Sequence, residues 1–242
     1  MKIRTLFLVA GMIVFFSACK KDDEALPTPV PPNNLNFSLS YEVDGQAAVA
    51  DTILYITDAG YPFSVVSLRY YLSEITLIKS DGTPVAIKAY HYASLTDATT
   101  KTFSISAPPQ GSYKGISFNI GIDSAHNVAD GLPINNANID MIWPEPMGGG
   151  YHFMKFEGYY TDSTGTYGYA MHLGNNANIV TIALDTNFTI GTGDLSMPLI
   201  MNLNEWFRNP AIYDFNIDGN YSMSSPAAMA KLTSNGHDVF HF

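Results

Sequence analysis

Hydrophobic and polar residues alternate along much of the chain. In the first clear example Phe37, Leu39, Tyr41 and Val43 occupy every second position, and Asp44-Gly45 follows as a turn signal. A period of two places successive side chains on opposite faces of an extended backbone. The segment is therefore predicted to be a strand with one buried face.

The same kind of segment returns many times before the C-terminus. The segments are rich in Tyr, Phe, Ile and Thr, and turn residues such as Ser80-Asp81-Gly82 and Pro108-Pro109-Gln110-Gly111 end them. This spacing and composition predict an all-β domain, built as a two-sheet antiparallel β-sandwich. The further strand candidates are 70–78, 103–105, 113–120, 151–160, 166–173, 179–184 and 195–203.

One or two short helices are predicted near the C-terminus. Residues 204–207 can form one or two helical turns. A second helix is predicted over 227–234, because Ser225 suits the N-cap, Pro226 the first turn and Gly236 the C-terminal stop.

Composition excludes several classes of function. Hydrophobic residues make up 46% of the 242 residues and charged residues 14%, which is too apolar for a disordered chain. The net charge of -10, without a long basic run, argues against nucleic acid as a partner. The single Cys rules out a disulfide framework within the chain and a multi-cysteine metal site. No motif pairs a nucleophile with a base at a recognisable spacing, so the protein is not expected to be an enzyme.

The N-terminus has the order of residues found in a secretory signal. A basic start is followed by an apolar stretch over 6–16 and by the small pair Ser17-Ala18 before Cys19. The small pair before a Cys resembles the bacterial lipobox, in which cleavage leaves a Cys that carries lipid. We therefore expect a lipoprotein signal peptide at 1–18 and a membrane anchor on Cys19. A plain signal peptide with a free Cys is the alternative.

A Pro-rich stretch separates Cys19 from the predicted strands. Such a stretch stays extended, so residues 19–34 are expected to be a tether and 35–242 a single domain. A Lys followed by acidic residues after the Cys resembles the export signal of surface lipoproteins in the Bacteroidetes. The expected location is the outer membrane, with the lipid-anchored domain periplasmic or surface-exposed.

Soft and aromatic side chains are concentrated between residues 141 and 172. Thioether sulfur and imidazole nitrogen suit Cu(I), whereas hard cations prefer oxygen. A copper site is therefore one hypothesis for this window, and ordinary core packing of the Met residues is the alternative. The residues concerned are Met141, Trp143, Met147, His152, Met154, Met171 and His172.

Two histidines of this window are candidate ligands. His172 follows Met171 in an alternating run and should lie on the opposite side of its strand from Met171. His152 follows a glycine run and, by alternation, should share a face with Met154. His126 is expected instead to hydrogen-bond its own turn.

Two further hypotheses involve no copper. Asp123, Asn127 and Asp130 carry oxygens that suit calcium. The 15 Tyr and 14 Phe residues would also suit a metal-free surface adhesion module that binds glycans or proteins, because aromatic side chains contribute strongly to interfaces.

A set of short segments, taken in order, resembles the MbnP-like family of secreted β-rich proteins, which are often found near copper-handling genes. Together they extend over nearly all of the mature chain. The segments are Tyr70-Tyr71-Leu72-Ser73, Pro109-Gln110-Gly111-Ser112-Tyr113, Phe118-Asn119-Ile120-Gly121-Ile122-Asp123 with Asn127, Met141-Ile142-Trp143, Gly150-Tyr151, Lys155-Phe156-Glu157-Gly158, His172-Leu173-Gly174, Asn235-Gly236 and Asp238-Val239-Phe240.

The resemblance implies a copper-associated binding protein. In related copper proteins a Trp is oxidised to kynurenine and joins two His residues around Cu(I), and a di-haem peroxidase relative is the implied oxidising partner. Carried over to this sequence, Trp143 would be the oxidised Trp and His172 one of the histidines. The copper-binding relatives have a His two residues after the Trp, where this chain has Glu145.

The site expected from these side chains and from the resemblance is a Cu(I) ion held mainly by two histidines. Cu(I) would be held by His172 and His152, with Trp143 or a Met sulfur from Met154 or Met171 as a weak third contact. Affinity should fall as the histidines protonate near their ordinary pKa of about 6.5.

Overall fold

The computed structural model describes residues 33–242. The expected signal peptide at 1–18, the lipid anchor on Cys19 and nearly all of the tether at 19–34 lie outside the described residues. Within residues 33–242, none of the helices has both the length and the apolar character needed to cross a lipid bilayer.

Strands dominate the described chain, and two α-helices accompany them. The elements are β1 (Asn34–Val43), β2 (Gln46–Ala47), β3 (Tyr55–Ile56), β4 (Pro62–Lys79), β5 (Pro84–Ser94), β6 (Thr102–Ser106), β7 (Gly111–Ile120), α1 (Asn136–Asp140), β8 (His152–Thr161), β9 (Thr166–Gly174), β10 (Val180–Ile190), β11 (Leu195–Asn202), α2 (Pro226–Asn235) and β12 (Phe240–His241).

The strands form two sheets, which confirms the predicted β-rich fold class. One sheet has five strands, in the order β12-β11-β1-β2 with β6 also paired to β1. The other has seven, in the order β10-β7-β4-β8-β9 with β3 and β5 also paired to β4. All these pairs are antiparallel except β1 with β11, which run parallel.

Alternation in β1 produces the face that the sequence predicted. Leu35, Phe37, Leu39, Tyr41 and Val43 are all buried, while the residues between them are half-buried or exposed. Their side chains join a hydrophobic core to which strands of both sheets contribute. Burial of these apolar groups is the main stabilising contribution to the sandwich.

The long strand β4 is the centre of the larger sheet. Its 18 residues pair with β3 and β8 in the first half and with β5 and β7 in the second. The row of partners across Arg69 runs through Lys155 of β8 to His172 of β9. This row places the outward side chains of three strands next to each other, and the candidate site lies at its end.

The C-terminal helices agree with the local sequence signals. Residues Leu203–Phe207 form a 3₁₀-helix, and α2 begins at Pro226 with the Ser225 hydroxyl accepting a hydrogen bond from the Ala228 N–H at 3.2 Å. Five elements were not predicted: the two-residue strands β2, β3 and β12, the strand β5 and the helix α1. The strand β5 mixes half-buried polar and aromatic residues, and the helix α1 has only five residues.

Candidate metal centre

The structure brings together three of the five candidate metal ligands. The ring centres of Trp143 and His152 lie 4.7 Å apart, and those of His152 and His172 lie 5.1 Å apart. Both pairs meet edge to face. The three aromatic rings therefore form one continuous group, which we call the Trp-His-His cluster (Trp143, His152 and His172).

His172 lies on the side of β9 that faces away from the core. Its neighbours Met171 and Leu173 are fully buried, while the His172 side chain is half-buried. The buried hydroxyl of Ser222 accepts a hydrogen bond from the His172 N–H at 2.6 Å and donates to the His172 carbonyl at 2.7 Å. This double contact fixes the backbone beneath the imidazole.

His152 begins β8, two residues after the last of three glycines with positive φ at 148–150. The pairing of β8 with β9 is irregular between His152 and Met154. The face of the sheet on which His152 lies therefore does not follow from the face of Met154 by alternation. The His152 ring contacts Trp143 and His172, and it is 5% exposed.

Trp143 is fully buried beside His152. Its indole N–H donates to the Met147 carbonyl at 3.0 Å, and its backbone N–H donates to the Gly150 carbonyl at 2.9 Å. A β-carbon added at Gly174 would lie 2.6 Å from Cδ2 of the indole. The ring therefore occupies space that is open only because residue 174 has no side chain.

Each histidine uses one ring nitrogen within the protein. Nδ1 of His152 lies 3.3 Å from the Met141 carbonyl oxygen, and Nε2 of His172 lies 2.9 Å from Oε1 of Glu157. Because both oxygens act as acceptors, these nitrogens carry the protons. Within residues 33–242 each ring makes this one side-chain hydrogen bond, and the Ile142 backbone also lies close to the His152 ring. In the neutral form of each ring, the other nitrogen keeps a lone pair that can bind a ligand.

The electrostatics keep His152 neutral and Glu157 ionised. Burial, followed by the nearby His172 and Lys155, lowers the pKa of His152 to about 4. The hydrogen bond from His172 lowers the pKa of Glu157 to about 2, and Ser67 and Arg69 contribute in the same direction. The expected protonation near pH 6.5 therefore does not apply to His152 in the folded protein.

Arg69 connects Glu157 to the segment that carries Trp143. Its guanidinium forms ion pairs with Asp140 and, at 3.5 Å, with Oε2 of Glu157. Asp140 ends α1, and its carbonyl accepts a hydrogen bond from the Lys155 ammonium at 3.2 Å. Side chains of β4 and β8 thus hold the segment that supplies both Trp143 and the carbonyl bonded to His152.

The two candidate thioether ligands belong to the packed interior. Met154 and Met171 are fully buried members of the hydrophobic core. Met171 precedes His172 on a regular stretch of β9 and so lies on the opposite face of the sheet. Met141 is also buried, and its contribution to the cluster is its backbone carbonyl.

Two of the three residues proposed for calcium, Asp123 and Asn127, use their side chains in hydrogen bonds within the protein. The Asp123 carboxylate accepts from the Ala125 N–H at 3.0 Å and from Nδ1 of His126 at 2.7 Å, which confirms His126 as a residue that bonds its own turn. Oδ1 of Asn127 accepts from the Tyr151 N–H at 2.8 Å. Asp130 has a positive φ of 56° in the same loop region. Over residues 33–242, no group of three or more His, Cys, Asp or Glu side chains is arranged to hold a metal ion.

Sequence reasoning identified the three aromatic rings but missed the polar residues around them. The direct partner of His172 across the two strands is Lys155. Glu157 lies two residues further along β8, diagonally across from His172, and its side chain reaches the imidazole. Alternation places Glu157 and Lys155 on one face, but the register between β8 and β9 is needed to locate His172 beside them. Ser222 and Arg69 are likewise distant in sequence, and no sequence pattern indicated that they lie near the histidines.

Comparison with known proteins identifies the family. A family model described as MbnP matches residues 32–225. MbnP from Methylosinus trichosporium has a similar fold, with a TM-score of 0.54 and 14% sequence identity, over 88% of this chain and 98% of that chain. No curated protein sequence matches. The family match extends over most of the described domain and agrees with the ordered motifs in the sequence, so the chain belongs to the MbnP family.

Proposed function

We propose that this protein binds a copper(I) ion between His152 and His172, with Trp143 packed against the site. One observation carries the proposal. Each imidazole commits one nitrogen to an acceptor in the protein, Nδ1 in His152 and Nε2 in His172, and the two ring centres lie 5.1 Å apart. Metal-binding histidines in proteins are typically oriented in this way, by a carbonyl or a carboxylate on the second ring nitrogen.

The donor set fits a soft monovalent ion better than a hard cation. Imidazole nitrogens suit copper, whereas calcium and magnesium require several oxygen ligands. The ring centres are 5.1 Å apart. One ion can bridge that separation, because the centre of an imidazole lies about 3 Å from a metal bound at its nitrogen. Membership of the MbnP family supports the same metal.

The surroundings of the site favour tight metal binding. Trp143 and His152 are almost completely buried, so the protein excludes water from one side of the cluster. The low pKa of His152, about 4, also removes competition from protons at this ligand near neutral pH. We propose a copper-binding role without catalysis, because the sequence pairs no nucleophile with a base at a recognisable spacing.

Anaerobic titration of the mature protein with Cu(I), in competition with a chromophoric chelator of known affinity, tests the assignment. We expect one Cu(I) per chain, and we expect tight binding to be lost in His172→Ala and in His152→Ala. His126→Ala is the matched control, because this exposed histidine bonds only its own turn in the described structure. Equal affinity of the wild type and His172→Ala would refute the assignment.

We also propose that the domain is tethered to the outer membrane through lipid on Cys19. The small pair before Cys19 and the Pro-rich stretch after it support this location. Metabolic labelling with a fatty acid should mark the wild type and not Cys19→Ala, and the variant should leave the membrane fraction. Retention of Cys19→Ala in the membrane fraction would contradict the proposal.

A further inference from the structure

Glu157 lies where it can control the orientation of His172. It is on the outward face of β8, and its Oε1 accepts the Nε2–H of His172 at 2.9 Å. The two residues are diagonal neighbours across paired strands, a separation that long side chains can bridge. The contact is half-buried on both sides, with 31% of the Glu157 side chain and 13% of the His172 side chain exposed.

The other carboxylate oxygen is held from the neighbouring strand. The Ser67 hydroxyl donates to Oε2 of Glu157 at 3.0 Å, and Arg69 forms an ion pair with the same oxygen at 3.5 Å. Arg69 is also paired with Asp140. Two residues of β4 therefore fix the carboxylate independently of His172, so that Glu157 can act as a rigid acceptor.

A fixed acceptor decides which ring nitrogen faces outward. Since Nε2 donates to Glu157, the lone pair of His172 is on Nδ1. Without that acceptor the ring can rotate about its bond to Cβ, and neither nitrogen has a fixed direction. The backbone contacts with Ser222 hold the main chain of His172 and leave its ring free to turn.

We infer that Glu157 is a positioning residue for the metal site, which holds the His172 ring so that Nδ1 is presented to the ion. The inference rests on the proposed copper-binding function. Glu157 itself acts through His172 and supplies no metal ligand. Loss of an orienting carboxylate of this kind typically lowers metal affinity 10–100-fold.

Three variants of the mature protein test this role by Cu(I) competition titration. Glu157→Ala should lower the affinity about 10–100-fold. Glu157→Gln keeps an acceptor oxygen of the same shape and should recover part of that loss. Glu42→Ala removes the carboxylate partner of His241, a matched contact of 3.1 Å elsewhere in the molecule, and should leave the affinity unchanged.

Proton NMR of the metal-free protein supplies a readout that does not depend on copper. A ring N–H held by a carboxylate exchanges slowly with water, so we expect a protected His172 N–H resonance in the wild type and its loss in Glu157→Ala. Wild-type affinity in Glu157→Ala, or persistence of that resonance, would overturn the inference. A wild type that binds no Cu(I) would refute the copper function, while the resonance would still show whether Glu157 orients His172.

Discussion

At the scale of single residues, the candidate site depends on a missing side chain as much as on those present. Gly174 pairs with His152 across the two strands, and the indole of Trp143 fills the space above it. Protein interiors are packed so closely that an added methyl group in such a place displaces its neighbours. The position of Trp143 is therefore sensitive to residue 174.

Replacement of Gly174 by Ala should move the Trp143 ring and destabilise the protein by about 1–3 kcal/mol, because a new β-carbon would overlap the indole. Urea denaturation followed by Trp fluorescence measures the change. Gly191→Ala is the control, since nothing lies within 4 Å of a β-carbon built there, and its effect should stay within about 0.5 kcal/mol. Equal stabilities of the two variants would contradict this account of the packing.

At the scale of elements, the buried side-chain amide of Asn235 links α2 to the segment around Trp206 and Ala211. Asn235, the last residue of α2, donates to the carbonyls of Trp206 at 3.0 Å and Ala211 at 2.8 Å. Its Oδ1 accepts from the Ala211 N–H at 3.1 Å. These three hydrogen bonds satisfy the Trp206 carbonyl in the 3₁₀-helix and both backbone groups of Ala211.

Asn235→Ala should destabilise the protein by at least about 2 kcal/mol, because it leaves buried backbone groups without partners. The midpoint of urea unfolding measures this loss. Ser234→Ala changes the exposed neighbouring residue of the same helix and should be nearly neutral. If Asn235→Ala and Ser234→Ala unfold at the same urea concentration, the hydrogen bonds of the Asn235 side chain do not contribute to stability.

At the scale of the whole molecule, tyrosines make up much of the aromatic core. Tyr41 and Tyr70 are buried and share a hydrogen bond of 3.2 Å between their hydroxyls. Burial raises the pKa of Tyr41 to about 12 and also raises the pKa of Tyr70, Tyr71 and Tyr213. Ionisation of these groups is therefore linked to unfolding.

The sign of this linkage predicts loss of stability in alkali. A tyrosine whose pKa is raised by folding retains its proton in the folded state after the unfolded chain has lost it, so stability falls as the pH rises above about 10. Spectrophotometric titration should show only part of the 15 tyrosines ionising before the protein unfolds. In concentrated guanidinium chloride all of them should ionise near pH 10. A single step near pH 10 in the folded protein would contradict the prediction.

Local sequence determined most of the longer strands and the side of β9 on which His172 lies. Both follow from the period of two, which is a property of the extended backbone itself. The Ser225 cap and the helix after it are also local features and were predicted correctly. The family resemblance was visible too, because its motifs are short and occur in order along the chain.

Only the tertiary structure decided how these strands combine and what surrounds the histidines. The parallel pairing of β1 with β11 joins residues about 160 positions apart, and alternation carries no information about such partners. The irregular start of β8 determines where His152 lies, and the register between β8 and β9 brings Glu157 to His172. The sequence therefore determined which rings were available, whereas strand register, set by packing of the whole core, determined which of them meet and how they are held.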